Sequence, residues 1–173
     1  MKKNLLFIDA ETDGLYGPFL TVAIIVVDEN GAEIERGYYG IERDKMQIQD
    51  SWTKEHVLPL LGAYEACESV EVLLERFWEF WMRYERNCLV VADVPYPVEC
   101  RLFEACVRKN ASERMFHCPF PLLDLSSMLY AKGMDPLIER EKLLGDTEGR
   151  MEHNALDDVI ASVKIWRNHI RKV

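Results

Sequence analysis

Asn4-Leu5-Leu6-Phe7-Ile8-Asp9-Ala10-Glu11-Thr12-Asp13-Gly14 is the stretch that decides the fold. Its first half is an apolar run bounded by a turn signal, which reads as a strand. Side chains alternate across a strand, so Asp9 and Glu11, two residues apart, point to one face. A carboxylate at the end of an apolar strand is costly unless it is paired or holds a cation. Asp13-Gly14 then turns the chain, and Gly14 provides the turn or a close approach of a substrate backbone. A second acidic stretch, His153-Asn154-Ala155-Leu156-Asp157-Asp158, stands near the other end. If the fold joins the two, they make a divalent-metal site with a titratable imidazole beside it. That is equipment for cleaving a phosphodiester.

Working outward, Phe19 to Val27 is rich in β-branched residues and reads as a second strand. Asp28-Glu29-Asn30-Gly31 is a hairpin turn leading to a third strand over Ala32 to Tyr39. Residues 41–63 show no regular pattern. Ser69 caps a helix on which Val72, Leu73, Phe77, Phe80, Trp81 and Tyr84 recur at helical spacing. The stripe Phe77, Trp78, Phe80, Trp81 reads as core or dimer interface, and the apolar positions of residues 72–84 offer surface for a homodimer. Cys88 to Ala92 reads as a buried parallel strand. Pro95 and Pro97 hold the next loop out of helix until Val98, where a helix runs to Lys109. A short strand over Pro121 to Leu125 leads into a helix over Ser126 to Lys132. Asn154 to Arg171 reads as the last helix, with basic residues in its final turns. The expectation is one α/β domain spanning residues 1–173.

The charge balance bounds the partner. The chain has 21 Lys and Arg against 30 Asp and Glu, a net −9. Proteins that grip long duplex are typically basic. A short substrate held by metal and by stacking of its last bases tolerates an acidic protein better. Five scattered cysteines without a Cys-x-x-Cys pair fit reduced thiols in a cytoplasm. No apolar run reaches the ~20 residues of a membrane helix. Asp9 and Glu11 cut short what otherwise resembles the start of a signal peptide.

Asp9, Glu11, Thr12 and Gly14 early, with His153 and Asp158 late, resemble the first and third motifs of the DEDD superfamily of 3′–5′ exonucleases, in its histidine-containing (DEDDh) branch. Oligoribonuclease and the proofreading exonucleases belong to this superfamily. The resemblance covers nearly the whole chain. It implies a ribonuclease-H-like fold, a mixed sheet of three antiparallel N-terminal strands plus parallel strands flanked by helices. It also implies two magnesium or manganese ions held by Asp9, Glu11, Asp158 and one further acid, with His153 as general base. An imidazole with a pKa near 6.5 suits proton transfer at neutral pH. If Asn154 caps the last helix, Asp157 takes the third helical position and bonds back to the cap, leaving Asp158 to face the site. His153 then belongs in the loop before the helix. His56, His117 and His169 have no carboxylate motif, and the last two read as surface.

The chain departs from the family at two places. Asp13 stands where a Thr is common, and points to solvent. In the middle motif, Ala92-Asp93-Val94-Pro95-Tyr96-Pro97-Val98-Glu99 replaces a strand-end turn followed by an Asp. Spacing puts Glu99 in the acidic slot, with Leu102 and Phe103 behind it, and puts Asp93 at the strand tip. Glu99 is favoured and Asp93 remains the other candidate. Glu is a competent oxygen ligand, one methylene longer than Asp. Leu15 and Tyr16 follow the first motif, where related enzymes place an apolar wedge against the 3′-terminal base. Leu15 equally fits the core. Thr12, Gly14, Leu15 and Tyr16 are therefore the candidate substrate contacts, with Trp52 and Lys54 as further ones.

The reading is a metal-dependent 3′–5′ exonuclease that shortens single-stranded RNA or DNA to nucleoside 5′-monophosphates. RNA is the first choice, because a standalone domain of this size resembles the oligoribonuclease type. Two rivals stay open. One is an inactive exonuclease fold used as a binding module. The other is a phosphodiesterase of short oligonucleotides or dinucleotides.

Overall fold

The computed structural model describes residues 4–145 and 153–171. Its sheet contains β1 (Asn4–Thr12), β2 (Phe19–Val27), β3 (Glu33–Ile41), β4 (Glu65–Cys67), β5 (Cys88–Ala92) and β6 (Leu122–Asp124). The spatial order is β4-β3-β2-β1-β5-β6. β1, β2 and β3 are antiparallel neighbours, while β5 and β6 run parallel to β1, and β4 runs parallel to β3. The helices are α1 (Ser51–His56), α2 (Val70–Tyr84), α3 (Val98–Lys109), α4 (Ala111–Arg114), α5 (Leu125–Ala131), α6 (Arg140–Leu144) and α7 (Ala155–Ile165). This is an α/β, ribonuclease-H-like architecture, as the sequence implies.

Strand alternation sorts the core into two layers. Leu6, Ile8 and Ala10 of β1 lie with Val22, Ile24 and Val26 of β2 against α2 and α3. Phe7, Ala23, Ile25 and Val27 lie on the opposite face against α5, α6 and α7. β2 is buried along its whole length because both faces are covered. Alternation carries Asp9 and Glu11 onto the face of Phe7, the side that α7 packs on. The strand pairing slips between Glu11 and Thr12, a bulge that re-aims side chains at the end of β1.

Several expected boundaries hold to the residue: β2, β5 and α3 match their predicted ranges. Ser69 caps α2 through its hydroxyl, which accepts from Val72 N–H at 3.4 Å. The Asp28–Gly31 turn closes as expected, with the Asp28 side chain accepting from Asn30 and Ala32 N–H.

Other expectations need correction. Residues 41–63 contain α1 and two single 3₁₀ turns, and the edge strand β4 follows them. They are too short to leave a periodic signal. The last α-helix stops at Ile165, and Trp166–Ile170 winds as a π-turn. Of the two readings of the α2 stripe, core and dimer interface, the structure shows core. Leu73, Leu74, Phe77, Trp78, Phe80 and Trp81 are buried against the sheet, so that face is not available to a second copy. Among the described residues no helix is long and apolar enough to cross a membrane.

Candidate active site

The acidic residues gather at the carboxyl ends of the parallel strands, beside the point where chain order reverses between β1 and β5. Open α/β sheets place their ligands there. Asp9 and Glu11 come from β1, and Asp158 from the first turn of α7. One ligand oxygen from each of the three lies within 4.8 Å of the others. Asn154 caps α7: its side-chain oxygen accepts from Leu156 and Asp157 N–H at 3.1 and 3.2 Å. Its amide donates to Leu60 O at 2.7 Å. The cap thus fixes both the start of α7 and its distance from the 57–62 segment.

The two acids of the middle motif have different partners. Glu99 is 4% exposed, and its Oε1 accepts from Ala10 N–H at 3.2 Å, between Asp9 and Glu11. Asp93 is engaged elsewhere. Its carboxylate takes two bonds from the Arg140 guanidinium at 2.5 and 2.7 Å and one from the Ser126 hydroxyl at 3.2 Å. A carboxylate so paired is already neutralised, so Asp93 anchors the 136–140 segment to the end of β5.

The electrostatics fit a cation. Burial pushes the Asp9 carboxyl well above the ordinary range, and Glu99, Glu11, Asp158 and Asp93 push it the same way. Burial and Asp158 raise Glu11 to about 7. Burial raises Glu99 to about 8, against the opposing pull of N–H bonds from the backbone. Carboxyls raised in this way have no cationic side chain to stabilise their ionised form, and a bound cation would take that role. All-oxygen donors of this kind suit magnesium or manganese.

His153 lies in the loop before α7, with a left-handed φ of 61°. Its ring meets the edge of Trp52 with centroids 4.9 Å apart. Trp52 in turn stacks on His56 at 5.0 Å, and His56 Nδ1 lies 3.0 Å from Trp52 O. His169 is half-buried rather than on the surface, with Nε2 2.9 Å from Leu143 O.

The loop after β1 is latched from two sides. Asp13 does not point to solvent: its carboxylate accepts from Gln49 and Asp50 N–H at 2.8 and 2.9 Å. Gly14, at φ +67°, donates its N–H to the Thr53 hydroxyl at 2.9 Å. The Thr12 hydroxyl donates to Gly14 O at 2.6 Å. These bonds tie the motif to α1, the helix that carries Trp52. Thr12 and Gly14 therefore spend these polar groups within the protein. Leu15 and Tyr16 stand exposed beyond them, so Leu15 is not core. On the other side, Arg101 of α3 donates to the carbonyls of Leu15, Tyr16 and Gly17.

Sequence reasoning missed Thr53, Arg101 and Arg140. Asp50-Ser51-Trp52-Thr53 does carry a helix-cap signal, and Asp50 accepts from Thr53 N–H at 2.7 Å. Nothing local in the sequence marks the two arginines.

Neither a protein-family model nor any curated protein matches the sequence. Solved structures do. Exonuclease I of E. coli in complex with single-stranded DNA, zinc-bound, superposes with a TM-score of 0.69 at 16% identity. That match covers 97% of this chain and 40% of that one. The E. coli enzyme with a dA16 oligonucleotide gives 0.64 at 14% identity, covering 95% and 40%. Exonuclease I of Methylocaldum szegediense gives 0.61 at 17%, again covering 95% and 40%. The chain spans about two fifths of the length of these proteins, and the likeness is one of fold.

Proposed function

We propose that this protein is a metal-dependent 3′–5′ exonuclease that removes nucleoside 5′-monophosphates from single-stranded ends. The observation that carries the reading is the convergence of Asp9, Glu11 and Asp158 within 4.8 Å, on a fold shared with exonuclease I. Asp9, Glu11, Asp158 and Glu99 would hold two divalent ions, magnesium or manganese. When bound, such ions make water a nucleophile at neutral pH and stabilise the leaving oxygen.

The other groups act on substrate and proton. His153 accepts the proton of the attacking water. Its ring packs against Trp52, and the residue immediately precedes the Asn154 cap of α7 with an αL backbone. Leu15 and Tyr16 receive the terminal base, whose stacking is worth ~1–3 kcal/mol. A short single-stranded end, rather than duplex, suits a protein with a net charge of −9. The exonuclease I structures with single-stranded DNA make DNA the substrate to test beside RNA.

The test is a time course on 5′-labelled single-stranded RNA and DNA with manganese, beside Asp9→Ala. A ladder shortening one nucleotide at a time, lost in the variant, is the expected result. It also fixes the sugar preference. Equal cutting by Asp9→Ala overturns the reading. If neither strand shortens while the protein still binds the oligonucleotide, the fold serves as a binding module instead.

A further inference from the structure

Two loops flank the acidic cluster on the side of α3, and both expose aromatic rings. Tyr16 is 67% exposed and Tyr96 is 71% exposed. They come from the loop after β1 and the loop before α3, and the two side chains are near enough to affect one another electrostatically. A lone exposed tyrosine swings freely, but the loop that carries Tyr16 is held in place.

The holder is Arg101, two residues after Glu99 on α3. Its Nη1 donates to Leu15 O at 2.5 Å. Its Nη2 donates to Tyr16 O at 2.8 Å and Gly17 O at 2.9 Å. The guanidinium also lies 5.7 Å from the Tyr16 ring centroid and 5.5 Å from that of Phe19. Carbonyls of a turning loop are hard to satisfy together, and a planar fork with several N–H groups does so where an ammonium does not. Gly17 lies in the same tight turn, where a Cβ would come within 1.9 Å of Asp13 O. The loop is therefore fixed by Asp13 and Gly14 toward α1 and by Arg101 toward α3.

We propose that Arg101 is a positioning residue for substrate: it fixes the loop so that Tyr16 and Tyr96 form a two-ring wall for the base of the terminal nucleotide, beside Glu99. Tyr96 is then a base-contacting residue. This rests on the exonuclease reading. It adds to it that selection for an intact 3′-terminal base is set by the α3 side of the site, through a residue that touches neither cation nor phosphate.

The test compares wild type, Arg101→Ala, Arg101→Lys and Tyr96→Ala on two probes. One is a single-stranded oligothymidylate, and the other is the same oligomer ending in an abasic deoxyribose. On the intact end each variant is expected to lose about ten-fold or more in kcat/KM, the size that stacking one base supplies. On the abasic end wild type and variants should be equal, because the wall has no base to hold. Equal losses on both ends, or none on the intact end, overturn the proposal. If Arg101→Ala does not fold by thermal unfolding, Tyr96→Ala carries the comparison. If wild type cuts neither oligomer, the exonuclease reading fails separately. Calorimetric binding of thymidine 5′-monophosphate against deoxyribose 5-phosphate then decides. Wild type should prefer the nucleotide, the variants should not, and equal preference in all overturns the wall.

Discussion

At the scale of single residues, the candidate site groups are held by partners of their own. Trp52 is the clearest case. It meets His153 edge-on and is itself backed by His56. Trp52→Ala should lower kcat at least several-fold with little change in the unfolding midpoint, while Trp52→Phe, which keeps an aromatic edge, should retain most of it. Steady-state kinetics beside thermal melts checks this, and equal loss in both variants would remove the positioning role. The motif residues Asp9, Glu11 and Asp158 were legible because carboxylates at a strand end and a helix start carry a pattern. Asp13 was not legible as a latch. Its partners are backbone N–H groups of Gln49 and Asp50, which no side-chain pattern announces. The pairing of Asp93 with Arg140, 47 positions away, was likewise not legible.

At the scale of elements, length decided what could be read. β2, β5 and α3 are bounded by turns or prolines and carry a full apolar pattern, so their ends match. β4 has three residues and α6 has five, too few for any period to register, and three-residue β6 was placed within a slightly longer range. α2 was placed well, and of the two readings of its apolar stripe the structure shows core. An apolar stripe states that a face is buried, not what covers it. Phe77 sits at 0% exposure, with its ring 5.1 Å from Phe103 of α3. Phe77→Ala should therefore cost ~3–5 kcal/mol, as for large core deletions, seen as a lower midpoint in urea. Wild type should sediment without an association that uses this face.

At the scale of the whole molecule, the acidic cluster couples stability to pH and to cations. Glu11 and Glu99 have folded pKa values of about 7 and about 8, above their ordinary 4.5. Between those limits the folded state binds more protons than the unfolded state, so stability falls as pH rises. Without divalent ions, the melting temperature should therefore drop from pH 5 toward pH 8. Glu99→Gln should flatten that slope. A cation that binds only the folded protein should reverse the drop, by ~2.7 kcal/mol at a hundred times its Kd. Melts in chelator and in magnesium across pH measure both effects. A flat profile in chelator would show that the cluster is relieved some other way. The layer order of the sheet was implied by resemblance rather than by periodicity. Local patterns fix which face a side chain takes, not which strand lies beside which.

The division of the cluster between β1 and α7 has a temporal side. Asp9 and Glu11 leave the ribosome well before Asp158, which rides on a helix about 150 residues later. Until Val159, Val163 and Trp166 settle onto Phe7 and Ile25, the third carboxylate has no fixed place. The acidic trio is therefore assembled by the docking of α7 onto the sheet and not by the synthesis of β1.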